Sequence, residues 1–287
     1  MRFTIPAAAI AAFLLATDAV AQRGMGGGRW RRPEAITNRV GAFFTDVAGP
    51  AVDGDKVADL DTCELVRTAV AAQQLSVLYL VNQGDNEQVR SQFEYQLFDK
   101  DEVGIELRYF HCGRIDLAKE EALAARYGKK APLFVVFDNK GKATELSMVG
   151  YKASTTSLTK ALEKAAGGAV KPPLPTFAKK YGGLVSDLER LLTKKQQAEQ
   201  DRAKADNDAK RKKVDKELEQ LGKEEEKLLE TENKMLEEAH LPERGAGAKR
   251  LGERPWRGGG RDGGGRDGGG RGNGGRGNGG GGNGGGV

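Results

Sequence analysis

The sequence predicts an α/β domain with a mixed sheet in a three-layer sandwich, followed by a long helix and a disordered Gly/Arg-rich tail. Short apolar runs alternate with helical segments between residues 60 and 166, as in sheets with parallel crossovers. The turn Asn139-Lys140-Gly141 separates two further strand-like runs, which predicts an antiparallel hairpin at the end of the domain. After residue 167 the composition changes, first to Pro and Gly and then to Lys, Glu, Ala and Leu.

The first 21 residues have the pattern of a secretory signal peptide. Arg2 supplies a positive charge, residues 5–16 form an apolar stretch, and Ala19-Val20-Ala21 is a small-residue cleavage site before Gln22. An uncleaved anchor is the alternative, but the apolar stretch is shorter than the roughly 20 residues that a spanning helix needs. We therefore expect an exported protein, periplasmic or extracellular, with no membrane span.

Charge is concentrated at the two ends of the expected mature chain. Residues 22–33 contain four arginines and no acidic residue, and the chain from Pro242 onward is also basic. The rest of residues 22–59 has no clear pattern, so this segment is predicted only as a basic arm with an unassigned part. Basic ends around a mildly acidic body favour contact with an acidic polymer or surface.

The predicted elements of the domain at residues 60–166 follow from periodicity and capping. Asp61 and Glu64 fit a capping box, Asp85 and Gln88 can cap the next helix reciprocally, and Ser154 can cap the last one. The predicted order is helix 61–74, strand 76–82, helix 87–100, strand 105–112, helix 117–127, strand 133–138, strand 143–149 and a helix that ends near residue 166.

Several short sequence segments in this domain resemble the second half of thioredoxin-superfamily domains. They are Arg114-Ile115-Asp116, Ala125-Arg126-Tyr127-Gly128, residues 131–137 (APLFVVF) and Lys140-Gly141, in that order. Residues 98–103 (FDKDEV) further resemble exported thioredoxin-like domains of thiol:disulfide interchange proteins. The resemblance implies a cis bond before Pro132 and a groove for extended peptide backbone, with Ala131, Pro132, Asp85 and Gln88 as candidate groove residues.

The position of the family's reactive cysteine pair is occupied by Gly84-Asp85-Asn86-Glu87-Gln88. Thiol–disulfide exchange needs a cysteine of low pKa with a second cysteine in reach, and this segment contains neither. The sequence therefore favours a redox-silent binding or scaffold module, with no catalytic residue and no cofactor. The ligand of such a module would be a protein or peptide partner.

The two cysteines of the chain leave three alternatives open. Export and an even count favour a disulfide between Cys63 and Cys112, since the predicted elements place both at one end of the domain. Two free thiols, or an atypical redox pair, are the other readings. His111 is expected to be a packed or rim residue, and no metal site is expected from His111, His240 and two distant cysteines.

Beyond the domain, residues 167–183 are predicted to be a Pro/Gly linker and residues 184–241 a long charged helix. Its apolar residues follow two heptad blocks, but Lys195, Arg202, Glu225 and Glu232 occupy core positions. A solvated single helix and a dimeric or antiparallel coiled coil both fit this pattern. A homodimer through this helix is therefore one predicted partnership.

Residues 242–287 are predicted to be a disordered Gly/Arg-rich tail. Spaced arginines in such a tail can contact the charges of polyanions, and the candidates are Arg257, Arg261, Arg266, Arg271 and Arg276. Acidic envelope polymers or extracellular DNA suit an exported chain better than RNA does, and a merely solubilising tail is the alternative. Three functions thus remain open: a binding module, an atypical oxidoreductase using Cys63 and Cys112, and a polyanion-binding protein.

Overall fold

The structure, a computed structural model, describes residues 32–253 except 54, 55 and 58. The predicted signal peptide, the arm up to residue 31 and the five candidate tail arginines lie outside the described residues. The described part is an α/β fold with a mixed six-stranded sheet and two long C-terminal helices, which confirms the predicted α/β class and mixed sheet. No described helix is both long enough and apolar enough to cross a membrane.

Eight strands and eight α-helices are assigned within the described residues. The strands are β1 (Ala42–Asp46), β2 (Val52–Asp53), β3 (Lys56–Val57), β4 (Leu75–Val81), β5 (Phe110–Asp116), β6 (Leu133–Phe137), β7 (Ala143–Ser147) and β8 (Lys249–Leu251). The helices are α1 (Glu34–Val40), α2 (Glu64–Ala71), α3 (Glu87–Phe98), α4 (Asp101–Leu107), α5 (Glu121–Tyr127), α6 (Thr155–Ala166), α7 (Leu174–Lys204) and α8 (Asp208–Ala239).

The strand order across the sheet is β7-β6-β4-β5-β1-β8, and β2 and β3 form a separate hairpin. The central strands β4, β5 and β1 are parallel, whereas β6, β7 and β8 pair with their neighbours in the antiparallel sense. Every residue of β4 is buried, which explains its unbroken apolar sequence. The predicted hairpin after Asn139-Lys140-Gly141 is present as β6 and β7.

Helices cover both faces of the sheet because successive residues of a strand point to opposite sides. Val77 and Tyr79 of β4 belong to the larger apolar cluster, which also includes residues of α1, α3, α4, α6 and α7. Leu78 and Leu80 belong to a second cluster with residues of α2 and α5. The larger cluster contains a group of packed rings, formed by Phe44, Tyr79, Phe98 and Phe134.

The predicted strand at residues 105–112 is wrong in its first half. Residues 101–107 form helix α4, and the strand begins only at Phe110 and continues to Asp116. Val103, Ile105 and Leu107 alternate like strand residues, but the helix is buried on several sides, and Gly104 and Glu106 are buried as well. A helix that is buried all round lacks the one-sided pattern by which helices are recognised in a sequence.

The structure also differs from the predicted segments on either side of the domain. Residues 34–46, placed in the unassigned arm, form α1 and β1, and β1 pairs in parallel with β5. Most of the predicted linker belongs to α7, which begins at Leu174 after a cis bond before Pro172. Phe177 and Tyr181 of this helix are buried in the larger cluster, and this packing outweighs the helix-breaking tendency of the nearby Pro and Gly residues.

The predicted long helix is broken at residues 205–207 into the hairpin of α7 and α8. The Asn207 side chain accepts a hydrogen bond from the Lys210 amide (2.9 Å) and so caps α8. Lys195 pairs with Glu225 and Arg202 pairs with Asp215, each at 2.6 Å, which shows that the helices run antiparallel. Lys195, Glu225 and Arg202, which interrupt the apolar heptads, therefore form ion pairs across the hairpin of a single chain, whereas Glu232 pairs with Arg39 of α1.

The chain after α8 returns to the sheet instead of entering the tail at residue 242. Residues 249–251 form β8, which pairs antiparallel with β1, and Leu251 is buried. The sequence prediction placed these residues in the disordered tail because a segment of three residues is too short to show a periodic pattern. Residues 254–287 lie outside the described part of the chain.

Candidate functional site

Three loops meet where β4 ends and β6 begins. Leu80 of β4 is the register partner of Leu133 of β6, so the loop after β4 lies beside the Ala131–Pro132 bond. This bond is cis, as the resemblance implies. The Met148 amide donates to the Pro132 carbonyl (2.8 Å), which brings the segment after β7 to the same edge.

Asp85 is held in place by hydrogen bonds from two of these loops. The amide nitrogen of the Asn82 side chain donates to the Asp85 carboxylate (2.8 Å), and so does the Tyr151 hydroxyl from the segment after β7. Burial, and then the hydrogen bond to Asp85, raise the pKa of Tyr151, which therefore stays a neutral donor at physiological pH. Asp85 is thus a fixed acceptor rather than a mobile reactive group.

The predicted reciprocal capping of α3 by Asp85 and Gln88 is wrong. Asn86 is the N-cap, and its side-chain oxygen accepts from the amides of Gln88 (3.0 Å) and Val89 (3.2 Å). Asp85 is directed to Tyr151 instead, and Gln88 is exposed on the first turn of the helix. Asp and Asn are both favoured at the N-cap position, and the sequence has one of each, at residues 85 and 86.

The rim of this edge carries two exposed valines that sequence reasoning missed. Val89 on the first turn of α3 is 45% exposed, and Val149 after β7 is 56% exposed. Their elements contact each other, and the rings of Phe93 and Tyr151 meet edge to face at 5.5 Å. We call the edge formed by Asp85, Ala131, Pro132 and the two valines the Pro132 groove, after the groove that the resemblance implies.

Gln83 and Arg90 fix the loop that follows β4. The Gln83 amide donates to the Asp116 carboxylate at the end of β5 (3.0 Å), and the Arg90 guanidinium donates to the Gln83 carbonyl (2.8 Å). This loop is therefore tied to both the neighbouring strand and the helix that follows it. A loop that is fixed in this way loses little entropy on binding any ligand.

Both cysteines are free thiols in this structure, and their positions do not suit a bridge. Cys63 is buried with the cluster of α2 and α5, whereas Cys112 packs against the larger cluster on the other face of the sheet. The prediction that they share one end of the domain depended on a strand ending at Cys112. Since β5 begins at Phe110, Cys112 lies near the start of the strand, and Cys63 lies at the opposite end, before α2.

The surroundings of the two thiols oppose thiolate formation. The Cys63 thiol donates to the Ala48 carbonyl (3.2 Å), and the Cys112 thiol lies near the carbonyls of Leu107 (3.5 Å) and Phe110 (3.4 Å). Burial raises the pKa of both thiols above the usual range. A nucleophilic thiol needs the opposite shift.

His111 is half-buried, as expected of a packed residue, and lies 2.5 Å from the Gln74 side-chain oxygen. Burial lowers the pKa of His111, so its ring is neutral at physiological pH. Within the described residues, no group of three or more His, Cys, Asp or Glu side chains is placed to hold a metal ion.

A concave region lies at the opposite edge, where β1 and β5 begin. It is a cavity of about 100 Å³, and its walls include Arg108, His111 and Cys112. The segment between α8 and β8 closes it and contributes Arg244. Sequence reasoning missed this cavity because it assigned residue 108 to a strand and residue 244 to a disordered tail.

Comparisons with known proteins do not identify the chain. No protein-family model matches the sequence, and the search of curated proteins finds no match. Function is therefore inferred from the residues and the geometry of the chain itself.

Proposed function

We propose that this chain is an exported, redox-silent, thioredoxin-like binding protein whose Pro132 groove holds an extended segment of a partner protein. The strand order supports the thioredoxin-like assignment, since β4 is flanked by parallel β5 and antiparallel β6 and the hairpin is followed by α6. The sequence of the first 21 residues supports export.

The observation that carries the proposal is the state of Asp85. At the position where the resemblance expects a reactive thiol, the chain places a carboxylate that accepts hydrogen bonds from Asn82 and Tyr151. The cis bond before Pro132 and the exposed Val89 and Val149 surround it. A shaped edge of this kind, with apolar side chains and no nucleophile, suits binding without turnover.

The edge also has chemistry for an extended peptide. Val89 and Val149 can contact apolar side chains of a ligand, and burial of such contacts stabilises a complex by about 25 cal/mol per Å². The polar groups of Asp85 and Gln88 lie within the same edge and can accept or donate hydrogen bonds. Specificity in such modes comes from side-chain pockets, and affinity comes from the ligand backbone.

The atypical oxidoreductase is the less supported alternative. Cys63 and Cys112 lie on opposite faces of the sheet, and the pKa of each thiol is raised rather than lowered. Neither cysteine lies in the Pro132 groove. The polyanion-binding alternative depends on tail arginines outside the described residues.

An insulin-reduction assay tests whether the protein is redox-silent. The full-length mature chain should reduce insulin no faster than the buffer, whereas the double variant Asp85→Cys with Gln88→Cys should gain activity. The paired control is Asp206→Cys with Lys210→Cys on the exposed turn of the hairpin, which should stay inactive. Wild-type turnover that disappears in Cys63→Ser or Cys112→Ser would contradict the proposal.

A further inference from the structure

Two arginine side chains line the cavity at the start of β1 and β5. Arg108 follows α4, and Arg244 comes from the segment that closes the cavity after α8. The cavity volume of about 100 Å³ exceeds the roughly 10–15 Å³ that one water needs. It has room for several waters or for one tetrahedral oxyanion.

Aromatic rings hold both guanidinium groups in place. The Arg108 guanidinium carbon lies 4.8 Å from the centre of the Tyr181 ring, and that of Arg244 lies 3.9 Å from the centre of the Phe43 ring. Arg244 also donates to the Asn38 carbonyl (2.6 Å). The cations are therefore oriented before any ligand arrives.

Neither arginine is neutralised within the described part of the chain. No described carboxylate lies within ion-pair distance of Arg108 or Arg244, whereas Arg32, Arg39 and Arg114 each have an acidic partner. The Arg108 Nη1 atom is buried and has no hydrogen-bond partner among the described residues. An unpartnered, buried donor on a cation is costly unless an anion or water satisfies it.

The two positive charges act on each other. Burial, and then the charge of Arg108, lower the pKa of Arg244. The acidic residue on the wall is Glu243, which is exposed and forms no ion pair with either arginine. His111 adds no charge, because burial keeps its ring neutral.

We propose that this cavity binds a small anion that carries a phosphate group, held between Arg108 and Arg244. Two oriented guanidinium groups match the charge and the several acceptor oxygens of a phosphate dianion better than a singly charged carboxylate. The site lies at the opposite edge of the sheet from the Pro132 groove and does not depend on the function proposed for that groove.

Isothermal titration of the full-length mature chain with inorganic phosphate tests the site. Sodium chloride keeps the ionic strength constant, so that screening of charges is the same at every phosphate concentration. Wild-type protein should bind phosphate, and sodium acetate should bind at least tenfold more weakly. Arg244→Gln and Arg108→Gln should each weaken phosphate binding at least tenfold.

Arg190→Gln is the matched control, since it removes one positive charge from an exposed position on α7 and should leave the affinity unchanged. Arg244 is the more exposed of the two arginines, so Arg244→Gln decides the question if Arg108→Gln fails to fold by circular dichroism. The proposal is overturned if wild-type protein shows no heat of phosphate binding, or if Arg244→Gln binds phosphate as tightly as Arg190→Gln. Acetate binding as tight as phosphate would overturn the phosphate assignment.

Discussion

At the scale of single residues, two buried carboxylates of this chain have opposite surroundings. Glu232 on α8 is 5% exposed and accepts hydrogen bonds from Arg39 (2.8 Å) and Tyr181 (2.6 Å). Glu106 on α4 is fully buried, and neither of its carboxylate oxygens has a hydrogen-bond partner among the described residues. The first carboxylate joins the hairpin to α1, whereas the second is a source of instability.

Glu106 should make the stability of the fold depend on pH. Burial, and then the charges of Glu163 and Glu102, raise its pKa to about 8. The folded chain therefore binds a proton that the unfolded chain releases at lower pH, and stability should fall as pH rises from about 4.5 to 8. Glu106→Gln should raise the free energy of unfolding by roughly 1–3 kcal/mol at pH 9 and change it little at pH 4.

Urea unfolding of wild type and Glu106→Gln at several pH values checks this expectation. Glu199→Gln, at an exposed position on α7 away from Glu106, is the control and should leave the pH profile nearly unchanged. Equal pH profiles for wild type and Glu106→Gln would show that Glu106 is not responsible.

The Pro132 groove shows which site residues a sequence can reveal. Pro132 and Asp85 were predicted at this edge because the resemblance assigns positions to a cis proline and to the missing cysteine pair. Tyr151 and Val149 were missed, since their role follows from the path of the chain after β7 and not from a local motif. Only the fold brings that segment to Asp85.

At the scale of elements, the helical hairpin explains the weak heptads of residues 184–241. Leu184 and Leu188 are buried in the larger cluster, whereas the outer part of the hairpin is tied by ion pairs such as Arg202 with Asp215. Exposed pairs of this kind contribute little individually, about 0–1 kcal/mol. The base of the hairpin is thus held by the core, and its tip depends on local capping and charge pairing.

A distance measurement between Lys194 on α7 and Glu226 on α8 distinguishes the hairpin from a continuous helix. Both positions are exposed, so spin labels on cysteines introduced there should not disturb the packing. Cys63→Ser and Cys112→Ser remove the native cysteines, so that only the two introduced positions are labelled. A continuous helix would separate them by about 48 Å, at 1.5 Å per residue. Packed antiparallel helices lie about 8–10 Å apart, so the labels should be much closer.

Pulsed electron spin resonance reads this distance directly. We expect a label separation below about 30 Å at low protein concentration. Dilution with unlabelled chain should leave the distance unchanged, because the pairing is within one chain. A separation near that of the continuous helix, or a short distance that disappears on dilution, would contradict the hairpin.

Elements with a one-sided or fully apolar pattern were predictable from the sequence, and β4, β6 and α6 are examples. Strand β7 was predictable from the turn at Asn139-Lys140-Gly141. The errors fall where long-range packing decides the structure. Helix α4 alternates like a strand because it is buried on several sides, and α7 starts inside a Pro/Gly-rich segment because the core covers Phe177 and Tyr181. Local patterns do not contain this information.

At the scale of the whole molecule, the first and the last described strands lie at the same edge of the sheet. β1 pairs with β5 on one side and with β8 on the other, so the first described strand lies between β5 and the last described strand. Leu251 is buried and belongs to the core. The residues that follow are the basic Gly/Arg segment.

Deleting residues 254–287 should therefore leave the fold intact and remove nonspecific polyanion binding. The deletion takes away Arg257, Arg261, Arg266, Arg271 and Arg276 and spares Leu251. Binding of the intact mature chain to duplex DNA should be indifferent to sequence and should weaken steeply with salt. Gel shifts at 50 and 200 mM salt, with circular dichroism as the folding control, check both expectations. Equally tight DNA binding by the truncated chain at low salt would contradict binding through the tail and would indicate the N-terminal arginines instead.

The most direct test of the central claim is a selection of displayed random peptides on the full-length mature chain. Enriched peptides should bind wild-type protein with a micromolar Kd, and Val149→Asp should weaken that binding at least tenfold by placing a charge on the apolar rim of the Pro132 groove. Ala203→Asp, which adds the same charge at an exposed position on α7, should leave the Kd unchanged. No enrichment, or equal binding to wild type and Val149→Asp, would contradict a peptide-binding groove at Pro132.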